Sequence, residues 1–177
     1  MKFLQFSQVR LTEKTLGRHL STDWDTSYFW RDKLNDPGYA ESIRIEEMVE
    51  EVRRTEYPLC PSRKMCMFLF DKMLSPEGYF AAMGRPVDLQ RQYNLVEVEV
   101  DDADSKIVRV NRLLLESLLA EEHSDDEVRA NARVYWRGSD DAGLNEEVLF
   151  QGTFTFTNIL RKADERFQPF LRNLYEF

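Results

Sequence analysis

Asn145-Glu146-Glu147-Val148-Leu149-Phe150-Gln151-Gly152, continued by Thr153-Phe154-Thr155-Phe156-Thr157, is the stretch that decides the fold. Two carboxylates open it, an apolar run follows, and the threonine–phenylalanine alternation has the period of a half-buried strand. It reads as one long final strand from Glu146 to Leu160. A carboxylate held at the mouth of a sheet is a rigid place for a general base or a charge-stabilising group.

A second segment, Pro58-Leu59-Cys60-Pro61-Ser62-Arg63-Lys64-Met65-Cys66-Met67-Phe68-Leu69-Phe70, supplies the cationic counterpart. Pro58 and Pro61 exclude regular helix there. Lys64 to Phe70 then reads as a buried strand, so Arg63 is expected to project from a sheet edge, where its planar fork suits bidentate capture of a diphosphate. Glu147 could stabilise positive charge building on a ribose carbon as a glycosidic bond breaks, or polarise an incoming nucleophile. The plainer account makes Arg63 a surface ion-pair partner and Glu147 an ordinary strand-end carboxylate.

The remaining elements alternate without a regular βαβ order. Lys2 to Leu11 leans to strand, Leu95 to Val100 alternates cleanly, and Ile107 to Val110 is a short strand. Ile43 to Arg54 sets Ile45, Met48, Val49 and Val52 on one helical face, with Glu46, Glu47, Glu50 and Glu51 expected on a solvated one. Ser75-Pro76-Glu77 opens a short helix. Asn111 caps a helix to about Ala120, and Ser124-Asp125-Asp126-Glu127 is a capping box for a helix ending near Trp136, before Gly138. Residues 161–177 form a possible helical tail. This order is α+β, and 177 residues suit a single domain.

With 32 acidic against 24 basic side chains the net charge is -8 and the pI is near 4.9, a balance opposite to that of proteins held by nucleic-acid phosphates. It suits solubility in a cytoplasmic compartment. No apolar run approaches the roughly 20 residues that span a bilayer, and Met1 to Arg10 lacks a signal-peptide core. Cys60 and Cys66 do not have C-x-x-C spacing, and Cys66 reads as a buried thiol. His19 and His123 stand alone, so no metal site is expected. Glycine-rich nucleotide loops and the G-x-S-x-G elbow are absent.

Pro61-Ser62-Arg63-x-x-Cys66-x-Phe68 resembles the P-S-R-x-x-S-x-F signature of a bacterial family of unassigned proteins grouped with the ADP-ribosyltransferase fold. Tyr135-Trp136-x-Gly138 and Glu147-x-Leu149-x-x-Gly152 before an alternating strand are similar to that family's C-terminal half. The Glu147-x-Leu149 strand start also resembles the DNA-modifying ADP-ribosyltransferase toxins. Cys66 replaces the signature's second serine, and Asn145 stands where arginine-modifying members carry a paired glutamate.

The resemblance implies one α+β domain over 1–177 with split, mostly antiparallel β-sheets and flanking helices. It implies NAD as the ADP-ribose donor and an unspecified macromolecular acceptor, protein or nucleic acid. Glu147 would be the catalytic carboxylate, with Glu146 taking its place if the register shifts. Arg63 would meet the dinucleotide phosphates and Ser62 the nicotinamide ribose. Tyr79 or Phe80 could stack on nicotinamide, and the Trp24 to Trp30 cluster could form a lid or acceptor platform; packing is the simpler account of both Tyr79 and the cluster. Two rivals stand beside this reading: a noncatalytic acidic interaction or inhibitor protein of phage or bacterial origin, motivated by the net charge and Asp101-Asp102-Ala103-Asp104, and an NAD glycohydrolase.

Overall fold

The computed structural model describes residues 1–22, 36–70, 87–101, 103, 105–138 and 145–173. Strands are β1 (Lys2–Ser7), β2 (Val9–Arg10), β3 (His19–Ser21), β4 (Met67–Leu69), β5 (Asn94–Val100), β6 (Lys106–Asn111), β7 (Glu146–Gln151), β8 (Thr153–Arg161) and β9 (Arg172–Asn173). Helices are α1 (Ala40–Glu56), α2 (Arg112–Ala120) and α3 (Asp125–Trp136). The fold is α+β, as the element order predicts. Among the described residues no helix is long and apolar enough to cross a membrane.

The chain divides into two compact units, each gathered from segments distant in sequence. Unit 1 comprises Met1–Ser21, Phe68–Ser105 and Gly152–Phe177; unit 2 comprises Thr22–Met67 and Lys106–Gln151. Unit 1 holds a four-stranded antiparallel sheet in the order β1-β5-β8-β3 and the parallel pair β2-β9. Its register sets Phe3, Val98 and Phe156 in one row, all buried, because alternate residues share a face. Lys2, Glu99, Thr155 and His19 form a row on the other face.

Unit 2 carries the helices and the antiparallel pair β6–β7, within a sheet ordered β4-β7-β6. As the central strand, β7 is buried on both faces: Val148, Leu149 and Phe150 are all fully enclosed. The helices pack α1 on α3 and α2 on α3, closing over Val49, Val52, Leu118, Val128 and Ala132. Asn111 caps α2 by accepting from Leu113 N at 3.1 Å. Ser124 and Glu127 form the expected reciprocal box at the start of α3.

Several expectations need correction. Glu146 to Leu160 is two strands, β7 and β8, in different sheets, and the break falls at Gly152. The pattern changes there too, from a solid apolar run to alternation, which is the change from two-sided to one-sided burial. Lys64 to Phe70 is strand only over Met67–Leu69. Arg63 instead lies in a turn closed by Met65 N to Ser62 O at 3.1 Å, with Ser62 Oγ accepting from Lys64 N at 3.3 Å. In α1 the expected apolar face is buried, but so are Glu46 and Glu50, because this helix meets neighbours over a wider arc than its aliphatic stripe. In the described part of the tail, a 3-10 helix at Glu165–Phe170 contains Pro169 and leads into β9. The short helix expected from Ser75, and the Trp24–Trp30 cluster, lie outside the described residues.

Gly138 ends α3 at φ 81°, with its N–H on Tyr135 O at 3.2 Å. A Cβ there would sit 3.1 Å from the backbone oxygen of Arg109. Gly138→Ala is therefore expected to cost about 1–2 kcal/mol, read as a lower urea midpoint with an unchanged slope.

Candidate functional site

Three elements of unit 2 converge on Arg63. The Ser62–Met65 turn presents its guanidinium to α1, α3 and β7. Nε donates to Glu46 Oε2 at 3.0 Å and Nη2 to Glu46 Oε1 at 3.5 Å. Nη1 donates to the Tyr135 hydroxyl at 2.5 Å and to Glu147 Oε2 at 3.4 Å. Cys66 Sγ rests on the Arg63 carbonyl at 3.7 Å. Arg112, from α2, adds a second positive charge toward Glu147.

The same face of β7 carries Glu147, Leu149 and Gln151, since alternate residues point one way. Gln151 Oε1 accepts from Ser62 N at 3.3 Å. The Ser62–Arg63 pair thus runs along β7, touching it at two positions. Glu146 points to the opposite face and pairs with Arg109. The expected cation and anion, 84 residues apart, do meet, and Glu147 rather than Glu146 is the carboxylate that faces Arg63. Tyr79 and Phe80 lie outside the described residues.

The contacts are unequal. Glu46 is 1% exposed at its side chain, Arg63 7% and Glu147 12%. Glu46 takes two nitrogens of the fork, whereas Glu147 takes one long bond, so Glu147 is the loosest member and the most exposed of the three. The sequence reading reserved the fork for a diphosphate; here its nitrogens donate to protein groups.

Burial and charge set the ionisation of this cluster. Burial opposes the charge of Arg63, but Glu46, Tyr135 and Glu147 outweigh it and hold the guanidinium firmly protonated. Burial pushes the Glu147 carboxyl above the ordinary carboxylate range, Arg63 and Arg112 pull it back, and Glu46 adds to the rise. Burial likewise raises the Tyr135 hydroxyl against the pull of Arg63. The Cys66 thiol is driven so far up by burial that thiolate chemistry is closed to it.

Glu46, Tyr135 and Gln151 escaped the sequence reading. Tyr135 and Gln151 lie inside the motifs that carried it, and Glu46 is three residues before the core residue Val49, on the edge of the apolar arc. A glutamate at that place is a helix-face residue until an arginine from elsewhere meets it.

Removing Glu46 strands a buried guanidinium, so Glu46→Ala is expected to cost about 3–5 kcal/mol. Glu147→Gln is expected to cost little or to stabilise. Because the folded-state pKa of Glu147 is raised, its protonated form favours the fold at low pH, and that contribution fades as pH rises through the raised value. The neutral variant's advantage over wild type therefore grows as pH rises through the raised Glu147 value and levels off above it, measurable by urea unfolding across a pH series.

No curated protein matches the chain. Residues 2–162 match one family model, and on that match the chain belongs to the family described as protein of unknown function (DUF2441).

Proposed function

We propose that unit 2 carries an NAD-dependent mono-ADP-ribosyltransferase site with Glu147 as its catalytic carboxylate. The observation supporting this reading is the meeting of the Pro61-Ser62-Arg63 turn with Glu147, on the face of β7 where Glu147 is the partly exposed group. The motif resemblance, the ADP-ribosyltransferase-like fold it implies, NAD and the acceptor all belong to this proposal.

In this reaction nicotinamide leaves the ribose C1′ with the bonding electron pair, which neutralises its ring. Positive charge then gathers on C1′ and the ring oxygen, opposite the Glu147 carboxylate. An acceptor nucleophile attacks C1′ and gives up its proton as the new bond forms. Ser62, whose N–H donates to Gln151 on the Glu147 face of β7, is the residue the resemblance assigns to the ribose. Burial makes the Glu147 anion costly before substrate arrives, and a preorganised site holds charge in that way for use in the transition state.

The depth of Arg63 favours a second reading, the noncatalytic acidic protein. A buried guanidinium bonded to Glu46 and Tyr135 also serves as structure alone. Nicotinamide release separates the two. Glu147→Gln is expected to bind NAD but to lose about a hundredfold or more in release rate. The rate should fall as pH drops through the raised Glu147 pKa, because the anion is the working form. No binding of NAD in saturation-transfer NMR, with nothing released, rules out the enzyme. Release that needs no acceptor identifies a glycohydrolase instead.

A further inference from the structure

We infer that Arg63 is a positioning residue, held by Glu46 and Tyr135, that aims the Glu147 carboxylate and keeps it charged rather than gripping phosphate. The inference deepens the proposed reaction and rests on it for its catalytic meaning. Its physical content is independent of NAD.

Three observations carry it. Nε, Nη1 and Nη2 of Arg63 all donate to protein acceptors, so a phosphate could claim the fork only by displacing Glu46 from two of them. The side chain is 7% exposed, whereas the Glu147 carboxylate it touches is the more exposed partner. One guanidinium stands between two carboxylates, so its field at Glu147 is whatever Glu46 leaves uncompensated. Glu46 and Tyr135 thereby act on Glu147 through Arg63 while having no contact of their own with the reacting atoms.

Among the described residues, the groups facing Glu147 are Arg63 from the turn, Glu46 from α1, Arg112 from α2, and Tyr135 from α3, with Cys66 behind Arg63. Arg112 is already tied to Glu116 at 2.6 Å and Asn145 at 3.4 Å, which leaves Arg63 as the contact cation. An anion set this way stays aligned while its partner cation stays out of the ligand's path.

The test is carboxyl-carbon NMR titration of the full chain, with the Glu147 signal assigned by its loss in Glu147→Gln. Arg63→Gln is expected to raise the Glu147 midpoint by about one pH unit or more, and Glu46→Gln to lower it. Midpoints unmoved in folded variants overturn the inference. If Arg63→Gln does not fold, Arg63→Lys takes its place, with a smaller upward shift expected because the charge remains while the fork is lost. In Arg63→Lys, NAD affinity should hold while nicotinamide release slows by about tenfold. Affinity lost with the Glu147 midpoint unmoved assigns Arg63 to phosphate and sinks the inference. A wild-type protein that does not bind NAD removes the proposed reaction, and the titration still decides the role of Arg63.

Discussion

Unit 2 depends on the cost of burying one positive charge. A guanidinium as enclosed as that of Arg63 requires partners with good geometry, or its desolvation would unfold its surroundings. Glu46, Tyr135 and Glu147 meet that requirement from two helices and a strand, so the charge fixes how α1, α3, β7 and the Ser62–Met65 turn come together. Apolar packing of Val49, Val128 and Leu149 supplies the larger driving force, but it is not directional. The ion cluster specifies register where hydrophobic contact alone would accept slippage.

The same arrangement gives Glu147 its chemical interest. Two carboxylates share one arginine, and the better-enclosed Glu46 takes the stronger share. Glu147 is left partly uncompensated, and at 12% side-chain exposure it is the more exposed of the two carboxylates. Strand β7 supports it from below, with Val148, Leu149 and Phe150 fully enclosed.

Much of this was legible from residues. The α2 and α3 caps follow from Asn111 and from Ser124 with Glu127, because a cap is a local exchange between neighbouring groups. The strand at Leu95 to Val100 follows from alternation, and the buried face of α1 from its spacing. That Arg63 and Glu147 face one another was read from their places at the starts of two segments and from motif resemblance; that they bond directly was not. The long strand ending at Leu160 was misread because a β-rich run looks continuous across Gly152, although its apolar pattern shifts there. Glu46 was assigned to solvent because helical spacing locates a residue on a helix face and is silent about what covers that face.

The chain's own order of residues determined its α+β class, the caps of α2 and α3, its net acidic charge and the two motifs that hold a cation and an anion. These depend on interactions within a few residues or on bulk composition. Only the tertiary structure decided that Arg63 turns inward, that Glu46 and Tyr135 take most of its fork, and that Glu147 rather than Glu146 shares it. Those outcomes rest on contacts across 17, 72 and 84 residues, where burial sets the energy of a charge and local sequence carries no record of it.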